Sequence, residues 1–225
     1  MNRDPLAESE LQRSARDAVR EADGPVTSIR SAIRGLDGWK LRAFVASCAE
    51  HVAPAFKLLA SATSVPIFER ALHSAWAVVT NDEENVASSL QLISRLPEAA
   101  VDDSHRREYY ATLAMEVLEN ALRTSCDQDA HDSADLACCL AFDLYASFDG
   151  IASGSPNMVI DPKSPPPKGA LESAEMNSLS NTLSILREES GRRDDIGRKC
   201  ESEAKKSAQV LLQSLPALIR QRYGK

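Results

Sequence analysis

No stretch of this 225-residue chain approaches the roughly 20 consecutive apolar residues that a helix needs to cross a bilayer. Membrane attachment would therefore need a partner. The opening MNRDPLAESE is polar and has no signal-peptide pattern. Also missing are an H-E-x-x-H pair, a glycine-rich phosphate loop and a serine or cysteine nucleophile on a recognisable elbow. These absences leave no catalytic residue to assign. The five cysteines (Cys48, Cys126, Cys138, Cys139 and Cys200) are odd in number and fall mostly within helical patterns. Reduced thiols in a cytoplasm are the expectation. Strand signals are nearly absent too, with only Met158-Val159-Ile160 able to pass for a short extended stretch.

What is present is helical periodicity. Leu41, Phe44, Val45, Cys48, Val52, Phe56 and Leu59 recur at helical spacing, and Phe68, Ala71, Leu72, Ala75, Trp76 and Val79 repeat the pattern after Ser64-Val65-Pro66. Two such stripes so close in sequence are expected to pack on each other across a capped turn. Pro54 withdraws a backbone donor and crowds the preceding turn, which predicts a kink or break near residues 51–54. Val86, Leu90 and Ile93 mark a short helix ended by Pro97. Asp102-Asp103-Ser104 then offers N-cap side chains to the amphipathic helix that carries Tyr110, Leu113, Ala114, Val117, Leu118, Ala121 and Leu122. The segment 134–148 is apolar around more than half its circumference and reads as the central helix. Further stripes run through Met176, Leu179, Leu183 and Leu186, and through Ile196, Cys200, Ala204, Ala208 and Leu211.

The resulting expectation is an all-α, multi-helix bundle of about eight helices in a single domain. Leu11, Ala15, Ala18 and Ala22 outline an N-terminal helical arm over residues 1–25, stopping at Asp23-Gly24-Pro25. The helical domain spans 26–225. Within it, residues 150–169 (GIASGSPNMVIDPKSPPPKG) carry five prolines and no periodicity, the mark of a long proline-rich loop. Residues 192–225 read as a C-terminal helical extension.

Charge is unevenly placed. The chain has a formal charge of −7, and 15 acidic against four basic residues put residues 81–149 alone at −11. Such a segment repels phosphate backbones and attracts basic proteins, so no nucleic-acid partner is expected. Asp127, Asp129, Asp132 and Asp135 are the candidate partner-binding residues. Basic pairs near the C-terminus, such as Arg192-Arg193 and Lys205-Lys206, are interleaved with acids and read as a solvated helix face.

Two constellations have chemically capable side chains. His131, Asp135 and Cys138 fall at i, i+4 and i+7 on one helix face, and all three types ligate transition metals. A fourth ligand and tight Cys/His pairs are missing, and Cys138-Cys139 point about 100° apart on a helix, so no metal and no cofactor are assigned. Glu50-His51, with His73 on the next helix, could perform acid/base work. Adjacent helical residues face different directions, however, and the preferred reading is that Glu50 and His51 hold helix packing near Pro54 through buried hydrogen bonds.

With those residues in view, the chain resembles the bacterial YjaG-like family, a domain of unknown function. The resemblance is carried by LDGWKLRAFVASCAEHVAPAF (Leu36 to Phe56), the pattern from Ala71 to Trp76, YYATLAMEVLENAL (Tyr109 to Leu122), FDG (Phe148 to Gly150) and ILREESGRRDDI (Ile185 to Ile196). It spans about Leu36 to Arg198. More loosely, the chain is similar to helical immunity proteins of bacterial toxin systems, which share the CAE..AP block. Neither resemblance supplies a catalytic residue. Together with the acidic segment they imply a cytoplasmic, non-enzymatic protein-binding protein: an immunity protein that neutralises a bacterial toxin, with a basic toxin domain as partner. The alternatives are a helical enzyme with a site near Glu50, His51 and His73, and a structural or regulatory homodimeric module.

Overall fold

A computed structural model describes residues 24–81, 86–103, 105–126, 129–154, 168–188 and 191–224. Among these residues there are eight α-helices, one 3-10 turn and no strand. The helices are α1 (Gly24–Ile33), α2 (Gly38–Leu59), α3 (Val65–Thr80), α4 (Ala87–Ile93), α5 (Glu108–Arg123), α6 (Ala130–Ala152), α7 (Ala170–Glu188) and α8 (Arg193–Tyr223), with the 3-10 turn at Pro97–Ala100 between α4 and α5. No helix among the described residues is long and apolar enough to cross a membrane.

The centre of the bundle is α2, not the 134–148 segment. It packs against α3, α5, α6, α7 and α8, and sixteen of its 22 residues are buried. The large apolar residues account for one stripe. The other faces are lined by Ala43, Ala46, Ser47, Ala49, Ala53 and Ala55, all buried. Small side chains let neighbouring helices approach from several sides, and a hydrophobic stripe does not register them. On the stripe side, Phe56 of α2 stacks on Phe68 of α3 with ring centroids 4.1 Å apart.

Of the kink or break expected at Pro54, there is no break: α2 is continuous from Gly38 to Leu59. Pro54 is itself buried, and the hydroxyl of Tyr145 on α6 donates to the His51 carbonyl at 3.1 Å, supplying a donor in the turn where proline withdraws one. α8 likewise continues past Pro216 and ends at Gly224, whose φ of 63° is the left-handed C-cap conformation that glycine adopts without strain.

The C-terminal helix, read from the sequence as an extension, packs on the core of the bundle. α8 packs extensively along α2, and Ile196, Cys200, Ala204, Leu211, Leu215 and Ile219 belong to the same core as Phe44 and Leu118. Its N-terminal turn also closes the end of α3. The last carbonyls of a helix have no partner within it; here Arg193 donates to the carbonyls of Val78 and Val79, and Arg42 of α2 to that of Val78 at 3.3 Å.

Two expected caps are replaced. Ser64 makes no capping bond to α3; its hydroxyl donates to buried Glu98 at 2.7 Å, and the Ser61 backbone N–H donates to the other oxygen of that carboxylate at 2.8 Å. The α2–α3 turn is thus tied to the 3-10 segment. Asp103 accepts from the backbone N–H of His105 at 2.9 Å instead of capping α5, and Ser104 lies outside the described residues. Of the proline-rich loop, residues 150–152 are helical and 155–167 lie outside the described residues, as do residues 1–23 of the N-terminal arm. Gly24 and Pro25 open α1, which suits proline's fixed φ in a first turn.

The base of that loop is held shut. Asp149, near the end of α6, accepts from the backbone N–H groups of Leu171 (3.1 Å) and Glu172 (2.8 Å) in the first turn of α7. Gly169 makes this approach possible: a Cβ there would lie 2.0 Å from the Asp149 carboxyl carbon.

Candidate functional site

Glu50 and His51 point about 100° apart around α2, as neighbours on a helix must, and so meet different helices. His51 is fully buried, and its Nδ1 lies 3.0 Å from the carboxylate of Glu175 on α7, which is 1 % exposed. The other ring nitrogen, Nε2, lies 3.1 Å from Ser178 Oγ, and Ser178 donates to Ser207 on α8 at 2.6 Å. A hydrogen-bonded line therefore joins α7, α2 and α8 through the middle of the bundle. Beside it, the Cys138 thiol of α6 is hydrogen-bonded with Cys48 of α2. That bond, burial and the nearby charge of Glu175 push its ionisation well above the ordinary thiol range. Burial, followed by the Glu175 carboxylate, does the same to the Tyr145 phenol.

Glu175, His51 and Ser178 have the residue types of a hydrolytic relay. Acyl transfer also needs backbone donors aimed at a developing oxyanion. Ser178 sits inside α7, where the helix ladder occupies those N–H groups, and its hydroxyl proton is directed to Ser207. The arrangement is a buried polar clamp between helices, the role expected for His51.

Glu50 faces α3. Its carboxylate accepts from Trp76 Nε1 at 3.0 Å and is 8 % exposed. Trp76 forms part of the wall of an open groove of about 370 Å³ between α3 and the first turns of α8, with His73, Asp194, Gly197, Arg198 and Glu201. His73 is exposed in this groove and does not join His51. The three residues considered together in the sequence are thus divided between a buried clamp and a surface groove.

His131, Asp135 and Cys138 are similarly dispersed. His131 Nε2 lies 2.8 Å from the Leu36 carbonyl, Asp135 is bound to Arg30, and Cys138 turns inward to Cys48. Among the described residues, no three His, Cys, Asp or Glu side chains form a metal-binding group.

The acidic segment is less acidic at its surface than its composition suggests. Glu98 and Asp149 face inward, as described above, and Glu119 pairs with Arg123 at 2.6 Å. Asp135 forms a bidentate pair with Arg30 of α1, at 2.7 and 2.5 Å, which withdraws it from the candidate recognition face. Asp127 lies outside the described residues. Asp129 and Asp132 are exposed, and Leu136, one turn beyond Asp132 on α6, is 43 % exposed. These three form one stripe.

Sequence reasoning did not identify Glu175, Ser178 or Ser207. One signal was available: Glu175, Leu179, Thr182 and Leu186 follow at i, i+4, i+7 and i+11, so a carboxylate stands in an apolar stripe. A charge so placed requires a buried partner.

The fold and these sites define an all-α bundle with a polar clamp at its centre. Compared with known proteins, the chain gives no match to a family model, to a curated protein or to a solved structure.

Proposed function

We propose that this protein is a non-enzymatic binding protein, a bacterial cytoplasmic immunity protein that neutralises a toxin by masking a basic domain of it. The observation that carries this reading is the α6 stripe in which exposed Leu136 adjoins the exposed carboxylates of Asp129 and Asp132. An apolar contact bordered by unneutralised acids suits a cationic protein surface: the charges steer the encounter and the leucine is desolvated on contact. The looser resemblance of the CAE..AP block, Cys48 to Pro54, to immunity proteins points the same way, and the inward placement of His51 and Glu175 makes them part of the scaffold. Four aspartates are no longer equivalent in this proposal. Asp129 and Asp132 act in recognition, with Asp127 beside them in sequence, while Asp135 anchors α1.

Co-expression with the product of the adjacent reading frame tests the proposal. The expected result is a stable complex on size exclusion and protection of cells from that product. Failure of both complex formation and protection overturns it. Association should slow with added salt, since exposed charges are screened beyond about 8–10 Å at physiological ionic strength.

A further inference from the structure

The end of the bundle where α2 turns into α3 is nearly free of charge. Between Lys57 and Glu69 there is no charged residue, and between Arg95 and Asp102 there is only Glu98, which is buried. Glu98 ties these two segments together. Its carboxylate accepts from the Ser61 N–H and the Ser64 hydroxyl, and its carbonyl accepts from the Thr112 hydroxyl of α5 at 2.7 Å. Pro66, Pro97, Ala99 and Ala100 are exposed on the surface so formed, and Leu58 and Leu92, on the helices that lead into it, are 46 % and 41 % exposed. Such a surface binds with little reorganisation, because alanine and proline have no rotamer freedom to lose and the Glu98 bonds fix the backbone beneath them.

Charge returns at the rim, with both signs. Arg70 of α3 and Arg95, just after α4, are exposed and have no side-chain partner among the described residues. Asp102 and Asp103, directly after the 3-10 turn, are exposed carboxylates. A rim of one sign would fit a partner of the opposite sign. A rim with both signs fits a copy of itself, since a two-fold axis brings the arginines of each copy to the aspartates of the other.

We propose that this end of the bundle is an isologous interface between two copies of the chain, with the proline–alanine surface as its apolar centre and Arg70, Arg95, Asp102 and Asp103 as its rim. The largest apolar patch on a monomer is about 300–600 Å², whereas a stable dimer buries about 800 Å² on each side. The charged rim must therefore complete the interface, and the association is weak, with a dissociation constant of about 1–100 μM. The α6 stripe lies at the other end of the bundle: His131 meets the carbonyl of Leu36, just before α2, and α2 then runs about 33 Å to Leu59. Two copies joined at the α2–α3 turn leave Asp129, Asp132 and Leu136 of each exposed, so this inference stands apart from the toxin-binding reading.

Sedimentation equilibrium of the intact chain between about 1 and about 200 μM tests it, a range that brackets the expected constant. The expected result is a monomer–dimer equilibrium that goes no further than the dimer, because a two-fold contact closes on itself. Ala99→Asp places a charge in the apolar centre, and the pair Arg70→Glu with Arg95→Glu turns the rim to one sign. Each should weaken the dimer about tenfold or more. All three residues are exposed, so an unchanged helical circular dichroism spectrum verifies that the fold is intact. A chain that stays monomeric throughout, growth beyond the dimer, or a dimer that keeps its strength in even one of the two variants overturns the inference. None of these outcomes bears on the co-expression experiment, which reads the α6 stripe at the opposite end.

Discussion

His51 and Glu175, separated by 124 positions in the chain, meet at 3.0 Å in the buried centre of the bundle and join α2 to α7. A buried pair of this kind is only a modest source of net stability, because the removal of both groups from water opposes their attraction. Breaking it is another matter, since one polar group is left unsatisfied. Glu175→Ala is expected to cost about 3–5 kcal/mol in denaturant unfolding. Replacing both residues by leucine should cost much less than the two single losses added together. Additive losses in that cycle would mean the two side chains are not energetically coupled.

Asp149 and Gly169 form a second coupled pair. Gly169→Ala places a Cβ against the Asp149 carboxyl group and should expel it from the α7 N-terminus. The expected cost is about 1–2 kcal/mol, the usual worth of a helix cap. Asp149→Ala should cost about the same, and the double variant little more than either, as measured by urea midpoints. A double variant that is twice as destabilised would detach the glycine's role from the cap.

Asp135 and Asp132 are expected to respond oppositely. Asp135→Asn breaks the bidentate pair with Arg30, whose side chains are only 22 % and 29 % exposed, and should lower stability by about 0.5–1.5 kcal/mol. Asp132→Asn should change stability by less than about 0.5 kcal/mol. On binding, the order reverses: Asp132→Asn slows association with a basic partner, and Asp135→Asn barely alters it. Equal effects of the two on the association rate would contradict the division of labour described here.

Alkaline pH should unfold the protein early. Burial and neighbours raise the ionisation of Cys138, Tyr145 and Tyr110 above their ordinary values, with burial the leading cause for both tyrosines. Below the ordinary thiol value of about 8.5, all three groups are protonated in folded and unfolded chains alike, and their contribution is constant. Above it the unfolded chain releases the thiol proton, and near pH 10 the phenolic protons, while the folded chain retains them. Stability therefore falls as pH rises through this window. The urea midpoint should drop steadily from about pH 8.5 to about pH 11, and Tyr145→Phe should make the upper part of that fall shallower. A midpoint independent of pH over this range would refute the assignment.

Periodicity made most of the helices legible. The α5 stripe from Tyr110 to Leu122 and the α8 stripe from Ile196 to Leu211 are buried as spaced, because an amphipathic helix has one stable way to remove its apolar face from water. Less legible was the rank of the helices. α2 is central because its alanines, Ser47 and Cys48 permit close approach on every side, and smallness carries no periodic signal. The preference for Glu50 and His51 as packing residues was legible from their adjacency; their partners Trp76 and Glu175 were not.

Local sequence alone determined the helical class of this chain, the inward faces of its longest helices and the uneven distribution of its charge, because each depends on the order of residues within a few turns. Tertiary structure decided which charges are available. Arg30 reaches Asp135 across 105 positions, and the first turn of α7 takes Asp149, so two acids counted in the −11 segment have internal partners while Asp129 and Asp132 stay exposed. Ion pairs and caps between distant helices arise only when packing brings their ends together, and packing is set by the whole set of apolar faces rather than by any segment of it.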